Sequence, residues 1–366
     1  MLATDLYLPA FPEITVYFGT SESTTNLTLI LFVATLAIST LFWGPISDKY
    51  GRKPVAMAGG ICFFVGSLCC IFAGSITQLI LFRVLQAIGG GSTNMIATAL
   101  IKDVYKEKQQ EKILSIVQGI ALIGPAVAPV IGAFVMRVTS WQGIFVIQAV
   151  MAAILVFGTI RLKETLQEPL DLSVFHALGR LLVVCRNRRF TLLVINFSLI
   201  PIAIMAFINA STYIFQNFFG LSGQTYSFFF SASALAMMAG TLLYLPISKL
   251  LGRTVSVYAT FIEVAVAGLL ILLIGDRSPY IFIILIAFTS FCACVIRPLG
   301  IFLSLNAQEK DTGSASSLIN FTSLLASTIG MASLSFFSNY LHGVGILYLL
   351  IGIVAAAMFA ICFKKV

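Results

Sequence analysis

Long apolar runs, separated by short turns that carry charge, proline or glycine, set the pattern of this chain. Each run is near the about 20 residues that a helix needs to cross the hydrocarbon core of a bilayer. The pattern predicts an all-α membrane protein with twelve transmembrane helices, the first of which looks truncated. The runs are residues 1–18, 26–46, 54–75, 77–100, 113–137, 141–160, 189–216, 224–247, 254–274, 279–302, 313–338 and 343–363.

A turn between two of these runs recurs in the second half of the chain. Gly44–Arg52 reads Gly-Pro-Ile-Ser-Asp-Lys-Tyr-Gly-Arg, and Leu245–Arg253 keeps its Pro, Ile, Ser, Gly and Arg in register. A repeat at half the chain length predicts two related six-helix bundles. We therefore expect an N-terminal bundle over residues 1–160, a cytoplasmic linker over 161–188 and a C-terminal bundle over 189–366.

The linker carries leucine and phenylalanine at helical spacing beside several arginines. This composition is typical of a helix that lies on the inner leaflet of a membrane. The alternative is a solvated connection without regular structure. In both cases the segment joins the two bundles.

Composition excludes a water-soluble protein. With 59% hydrophobic residues, 10% charged residues and a mean hydropathy of +1.02, the chain has too few polar side chains to cover a surface in water. Most of its 22 Lys and Arg residues lie on one side of the membrane if both termini are cytoplasmic. The formal charge of +8 thus indicates membrane topology, and it does not imply nucleic acid.

Cysteine and histidine offer no site for metal or covalent chemistry. The seven cysteines lie in apolar runs or near the cytoplasmic face, and the two histidines, His176 and His342, fall in loops on opposite sides. We expect no disulfide framework, no metal site and no cofactor. No run carries a His cluster or a Ser/His pair, so we do not expect an enzyme.

Four short motifs lie in order along the first five runs. Asp5–Pro12 reads Asp-Leu-Tyr-Leu-Pro-Ala-Phe-Pro, Arg83–Gly89 opens on an arginine within a run, and Gly119–Gly132 carries two prolines four residues apart. Together with Gly44–Lys53, they resemble the motifs of drug:proton antiporters in the major facilitator superfamily. The first-span motif is most similar to that of the bicyclomycin/chloramphenicol resistance (Bcr/CflA) group. The chain departs from the family pattern at Ala87, where the family usually has Gly.

The resemblance covers essentially the whole chain and implies both fold and function. The fold is two pseudo-symmetric six-helix bundles. The function is proton-coupled efflux of a small amphipathic drug or metabolite by a monomer that works by alternating access. Two alternatives stay open: a same-fold importer, metabolite exporter or facilitator, and a membrane receptor or enzyme.

The charges of the first inner turn are expected to form a latch that closes the cytoplasmic side. Asp48 and Arg52 can form charge pairs, and the Asp48 carboxylate can cap a neighbouring helix N-terminus. Asp103, at the end of the fourth run, completes the cluster, and Gly44 and Gly51 belong to the turn. The alternative is a turn that only satisfies positive-inside topology, which an acidic residue does not serve.

Arg83 lies inside the fourth run, where a charge costs about 2.5–3.5 kcal/mol on insertion scales. It therefore needs a partner, and Asp5 is the natural candidate. We expect this pair to couple proton binding to transport. The alternative is that Arg83 only cross-links helices.

The remaining candidates are small or polar side chains at steps of three or four residues. Ordinary helix packing explains such stripes equally well. The antiporter motif contributes Gly119, Gly124, Pro125, Pro129 and Gly132, and the predicted substrate cavity contributes Tyr7, Gln86, Asn94, Gln118, Asn209, Tyr213 and Asn320.

Glu263 is an acid in the middle of the ninth run, and no family motif matches it. A role in proton handling competes with a neutral carboxyl packed between helices.

The position of Asp5 is a second departure from the family pattern. A helix over residues 1–18 would place Asp5 about 6 Å from its start. We expect either further residues upstream or a naturally short first helix.

Overall fold

The computed structural model describes residues 2–104, 107–166, 179, 181, 183–308 and 312–363. Within these residues every regular element is helical. The α-helices are α1 (Leu2–Asp5), α2 (Phe11–Tyr17), α3 (Glu22–Tyr50), α4 (Arg52–Ile71), α5 (Ile76–Val104), α6 (Glu107–Val138), α7 (Trp141–Arg161), α8 (Arg188–Thr212), α9 (Gly223–Leu251), α10 (Arg253–Ile274), α11 (Pro279–Asn306), α12 (Thr312–Ser333) and α13 (Tyr340–Phe363). Short 3-10 turns form Leu8–Ala10 and Leu334–Phe336, and a π-helical stretch, Tyr213–Phe218, extends α8.

Ten helices in the described part of the chain are long and apolar enough to cross a membrane: α3, α4, α5 and α7 to α13. A shorter apolar stretch, Ile123–Val138, lies in α6. With the broken helix at the start of the chain, this set agrees with the predicted twelve-helix membrane fold. The chain is a multi-pass membrane protein.

The first predicted helix, residues 1–18, is broken rather than continuous. α1 ends at Asp5, a 3-10 turn follows at Leu8–Ala10, and α2 begins at Phe11. Pro9 and Pro12 cause the break, because neither residue has the N–H that a continuous α-helix would use. Asp5 therefore ends a short helix instead of lying within a long one.

The repeat predicted from Gly44–Arg52 and Leu245–Arg253 is visible in the helix ends. α3 and α9 begin after a serine cap, since the hydroxyl of Ser21 accepts from Thr24 N and that of Ser222 accepts from Thr225 N. Both helices end at a glycine with positive φ, 100° at Gly51 and 81° at Gly252. The next helix starts at once in each case.

The helices group into two compact units. Unit 1 is Met1–Gly124 with Phe134–Leu182, and unit 2 is Pro125–Ala133 with Val183–Val366. The division follows the chain except at one segment of α6, Pro125–Ala133, which packs with unit 2.

Glycines let helices cross at backbone distance inside each unit. In unit 1 a Cβ on Gly89 of α5 would collide with the backbone of Phe63 in α4. In unit 2 a Cβ on Gly268 of α10 would collide with the backbone of Leu349 in α13. Such close crossings are typical of helix packing in membranes.

Candidate functional site

The predicted inner latch residues meet around Arg52, at the first turn of α4. Its Nη1 donates to Asp48 Oδ1 and, at 2.6 Å, to Ser47 Oγ. Its Nε donates to Asp103 Oδ2 at 2.9 Å. Arg52 is only 9% exposed, so these charges are partly shielded from water. The structure thus joins the ends of α3, α4 and α5 through one guanidinium.

Glu164, which the sequence did not single out, caps α4. Its two carboxylate oxygens accept from Arg52 N at 2.9 Å and Lys53 N at 3.1 Å. A carboxylate at a helix N-terminus satisfies unpaired N–H groups and the helix dipole. Asp48 itself pairs with Arg52, and its capping of a neighbouring helix stays a prediction.

Gly51 is required beside this cap for two reasons. Its φ of 100° is a backbone conformation that residues other than glycine rarely adopt. In addition, a Cβ at Gly51 would lie 2.5 Å from Glu164 Oε2. Gly44 is the other glycine of the predicted latch. A Cβ added at Gly44 would lie 3.4 Å from the Met95 methyl group, which is an ordinary contact distance.

Glu164 is held as an anion by its surroundings. Partial burial raises the pKa of the carboxyl, but hydrogen bonds from the backbone N–H groups of Leu166, Arg52, Lys53 and Thr165 outweigh burial. The net result is a lowered pKa. The cap therefore keeps its charge at neutral pH.

Arg83 is completely buried in an aromatic cage. The carbon at the centre of its guanidinium lies 4.0 Å from the ring centre of Phe32, 4.7 Å from that of Tyr7 and 5.8 Å from that of Phe145. Its Nη1 donates to Gln86 Oε1 at 2.7 Å. Its Nε and Nη2 have no hydrogen-bond partner in the described residues.

A glutamine network extends from this cage. Gln86 Nε2 donates to Ser67 Oγ and to Gln148 Oε1, both at 2.7 Å. Gln148 Nε2 and Arg83 Nη1 in turn donate to the carbonyl of Ala3, at 3.2 and 3.4 Å. The network joins α1, α4, α5 and α7. Ser67 and Gln148 are members that sequence reasoning missed.

The predicted pairing of Asp5 with Arg83 is not present in the structure. Asp5 is buried, 6% exposed, and accepts from Thr4 Oγ1 at 3.3 Å. Among the described residues the ion pairs are those that Arg52 makes. Aromatic rings and Gln86 take the place around Arg83 that we expected a carboxylate to fill. Arg83 nevertheless contacts the backbone at Ala3, two residues before Asp5.

The other predicted cavity residues fall in different environments. Tyr7 is buried, with its hydroxyl 2.9 Å from Thr28 Oγ1, and Asn209 is buried and donates to Met331 O at 3.4 Å. Tyr213 is also buried, whereas Asn320 is exposed on α12. Asn94 lies in α5, and Gln118 and the antiporter-motif residue Gly119 lie in α6, but the burial and contacts of these three residues lie outside what the structure describes.

The described part of the antiporter motif packs on α9 within unit 2. Ser227 Oγ donates to Pro129 O at 3.0 Å, and Ser231 Oγ donates to Ala126 O at 2.5 Å. Both prolines of the motif lie inside α6, and Gly132 is buried. Serine hydroxyls thus bond directly to carbonyls of the proline-containing segment.

Solved structures share this architecture at low sequence identity. The crystal structure of a D-xylose-proton symporter matches with a TM-score of 0.74 over 98% of this chain and 94% of that chain, at 15% identity. Peptide transporter POT in complex with sulfate matches with a TM-score of 0.75 over 99% and 93%, at 14% identity. The chain therefore shares the fold of these two structures.

The chain belongs to the Major Facilitator Superfamily, whose family model matches residues 1–331. The family predicted from the motifs is thereby confirmed. It is a family of small-molecule transporters rather than enzymes. Membership of the Bcr/CflA group stays a prediction.

Curated relatives are bacterial multidrug resistance proteins. Multidrug resistance protein MdtL of Klebsiella pneumoniae (strain 342) is 31% identical over 238 residues, which cover 64% of this chain and 60% of the relative. The protein of the same name from Salmonella paratyphi C (strain RKS4594) is 33% identical over 240 residues, covering 64% and 59%. The match thus spans about 60% of the length of these relatives.

Proposed function

We propose that this protein exports small amphipathic drugs or metabolites across a bacterial inner membrane in exchange for protons. The proposal is supported by its relatives, which are named multidrug resistance proteins. The observation that carries it is Arg83, a fully buried guanidinium whose Nε and Nη2 have no partner in the described residues. A cation left in this condition inside a membrane is expected to take part in function.

Asp5 and Arg83 are the proposed coupling groups. In the described state Asp5 is buried and unpaired with Arg83, which favours its protonated, neutral form. The carbonyl of Ala3 already contacts Arg83. In the proposed second state the carboxylate of Asp5 pairs with the guanidinium, and Asp5 releases its proton as the pair forms. Proton binding and pairing with Arg83 therefore exclude each other.

The cluster of Arg52, Asp48 and Asp103 is proposed to stabilise the state closed to the cytoplasm. Alternating access requires two states of similar energy, so a few kcal/mol at this cluster controls their balance. The polar side chains of Tyr7, Gln86, Asn94, Gln118, Asn209, Tyr213 and Asn320 are the proposed lining of the substrate cavity.

The topology, oligomeric state and domain bounds predicted from the sequence are part of the proposal. Both termini lie in the cytoplasm, the protein acts as a monomer, and the chain is organised as bundles over residues 1–160 and 189–366 with a linker over 161–188. The uneven distribution of Lys and Arg supports this topology. The close packing of the antiporter motif, at Gly124, Pro125, Pro129 and Gly132, resists ion leakage.

Drug-induced proton release from the detergent-solubilised protein tests the proposal. Asp5→Asn keeps a hydrogen-bonding side chain of similar size but cannot titrate. We expect this variant to bind a lipophilic dye such as ethidium with an affinity near that of the wild type. We also expect it to lose the dye-induced release of protons.

Two results would contradict the proposal. Proton release that persists in Asp5→Asn would place the coupling group elsewhere. Dye accumulation, instead of extrusion, in cells that express the wild-type protein would favour a same-fold importer.

A further inference from the structure

Glu263 lies in the middle of α10, a helix that is long and apolar enough to cross a membrane. Its Oε1 is 2.8 Å from the hydroxyl oxygen of Thr289 in α11. The same hydroxyl oxygen lies 2.9 Å from Leu285 O, one turn earlier in α11. A threonine hydroxyl has a single hydrogen, so it donates to only one of these two oxygens at a time.

A proton on Glu263 resolves this competition. The Thr289 hydroxyl then donates to Leu285 O, a bond that threonines in membrane helices commonly make. The Glu263 carboxyl O–H donates to a lone pair of Thr289 Oγ1. Glu263 Oε1, the Thr289 hydroxyl and Leu285 O then all take part in hydrogen bonds, whereas an ionised Glu263 competes with Leu285 O for the single hydroxyl hydrogen.

The second carboxyl oxygen supports the same assignment. Glu263 Oε2 and the hydroxyl of Tyr348, in α13, are both buried and without hydrogen-bond partners in the described residues. Tyr348 is 0% exposed. An ionised carboxylate oxygen without a partner is costly in an apolar interior, but a neutral carboxyl is far less so.

A metal cation does not fit this place. Hard cations take six or more oxygen ligands, and the oxygens that the structure brings together here belong to Glu263, Thr289 and Leu285. The space beside them is closed, because Gly268 and Gly352 bring the backbones of α10 and α13 into contact. A proton, by contrast, binds to a single carboxylate oxygen and needs no cavity.

We propose that Glu263 is a proton-binding site of unit 2, separate from Asp5, and that it is occupied at neutral pH. The bound proton stabilises the packing of α10 against α11 and α13. A state that admits water to Glu263 releases the proton, so rising pH favours such a state.

Few other charged groups approach this site. On α9, which also packs on α10, Lys249 lies beside the turn to α10, and on α10 Arg253 lies about 15 Å along the axis from Glu263. Arg297 of α11 lies about 12 Å along the axis from Thr289. The described titratable side chains on the helices packed around Glu263 are Tyr226, Tyr244 and Lys249 of α9, Arg253 and Tyr258 of α10 itself, Tyr280, Cys292, Cys294 and Arg297 of α11, and Tyr340, His342 and Tyr348 of α13.

The pH dependence of stability tests the proposal with Glu263→Gln, which mimics the protonated side chain. The folded wild type holds one proton that the unfolded chain releases above pH about 4.3. Its unfolding equilibrium should therefore shift towards unfolding, relative to Glu263→Gln, by about tenfold per pH unit from about pH 5 to 7. Circular dichroism of both proteins in denaturant and detergent measures this difference.

Glu13→Gln is the matched control. Glu13 is exposed and accepts only a long hydrogen bond, 3.3 Å, from Trp141 N. This variant should follow the wild type at every pH. Parallel curves for the wild type and Glu263→Gln would overturn the proposal.

Reaction with dicyclohexylcarbodiimide gives an independent readout, because this apolar reagent modifies protonated carboxyls in membranes. Mass spectrometry should find the adduct on Glu263 at pH 7 and less of it at pH 9, with none at this position in Glu263→Gln. An adduct that is absent at both pH values would contradict the proposal. Efflux and dye-induced proton release should persist in Glu263→Gln, so failure here is distinct from failure of the proposed transport function.

Discussion

Arg83 shows how one residue can carry charge inside a membrane without a counter-ion. Insertion of an arginine at mid-span costs about 2.5–3.5 kcal/mol. Three aromatic rings around the guanidinium each return about 0.5–2 kcal/mol, and the hydrogen bond to Gln86 adds to this. These contributions offset the insertion cost. The N–H groups at Nε and Nη2 remain available for a partner that arrives during transport.

Arg83→Ala should therefore abolish efflux, whereas Arg297→Ala should not. Loss of Arg83 leaves Gln86 Oε1 without its donor in a buried site, at a cost of about 1–3 kcal/mol, and removes the proposed partner of Asp5. Arg297 is exposed on α11, and its long side chain can reach the interface. Ethidium efflux from cells, with the protein amounts in the membrane compared by immunoblot, measures both variants. Equal loss in the two would mean that Arg83 has no special role.

The burial of Arg83 was predictable from sequence, but its surroundings were not. A charged side chain several residues inside an apolar run must face protein rather than lipid. The position of Arg83 within its run can be read directly from the sequence. The cage is built from Tyr7, Phe32 and Phe145, which lie on separate helices, and no local spacing connects them. The choice of Asp5 as partner relied on charge alone and overlooked aromatic rings as a way to stabilise a cation.

At the scale of an element, the start of α4 depends on a residue more than a hundred positions away. Glu164 follows the end of α7, and its carboxylate accepts from the first N–H groups of α4. The same oxygens accept from Thr165 N and Leu166 N, which fixes the carboxylate in place. The cap therefore ties the end of α7 to the turn that carries Arg52.

Glu164→Gln should lower stability by about 0.3–1 kcal/mol at pH 7, towards the lower value because the side chain is exposed and screened. The folded pKa of Glu164 lies below its unfolded value. The stabilisation is therefore complete above the unfolded pKa of about 4.3 and is lost as pH falls through the folded pKa. Chemical denaturation in detergent should show the wild type and Glu164→Gln converging at acidic pH.

Lys163→Gln, an exposed neighbour, is the control for this prediction. It changes the charge of the same loop without touching the cap. A constant difference between the wild type and Glu164→Gln at all pH values would show that the charge of the carboxylate is not what stabilises α4.

The sequence predicted those helices whose length and hydropathy mark them as membrane spans. Spans from α3 to α13 follow apolar runs bounded by caps or glycines, so their existence and order were readable. The break between α1 and α2 was not predicted, although Pro9 and Pro12 stand in the sequence, because apolar length was given more weight than the missing N–H groups. The cap by Glu164 was missed because contacts between distant segments leave no local pattern.

At the scale of the whole molecule, the two repeats share their geometry but not their charges. The turns at Gly51 and Gly252 each have a proline-containing helix end, a glycine with positive φ and an arginine at the start of the next helix. The position of Asp48 is taken by Lys249 in the second repeat. Arg253, the counterpart of Arg52, is exposed and lies over the ring of Phe302 at 5.0 Å. The ionic cluster is therefore a property of unit 1.

This asymmetry makes the second repeat a control for the proposed latch. Arg52→Ala removes the group that joins Asp48 and Asp103, and Asp48→Asn removes one of its two charge partners. A change of about 1.4 kcal/mol in the balance between two states shifts their ratio tenfold, so efflux should fall by about tenfold or more in both variants. Arg253→Ala should keep efflux near the wild-type rate, because no ion pair is lost. Efflux rates at equal amounts of protein in the membrane decide the matter. A normal efflux rate in Arg52→Ala, or an equal loss of efflux in Arg253→Ala, would contradict the proposal. The charges of this turn would then serve only to orient the protein in the membrane.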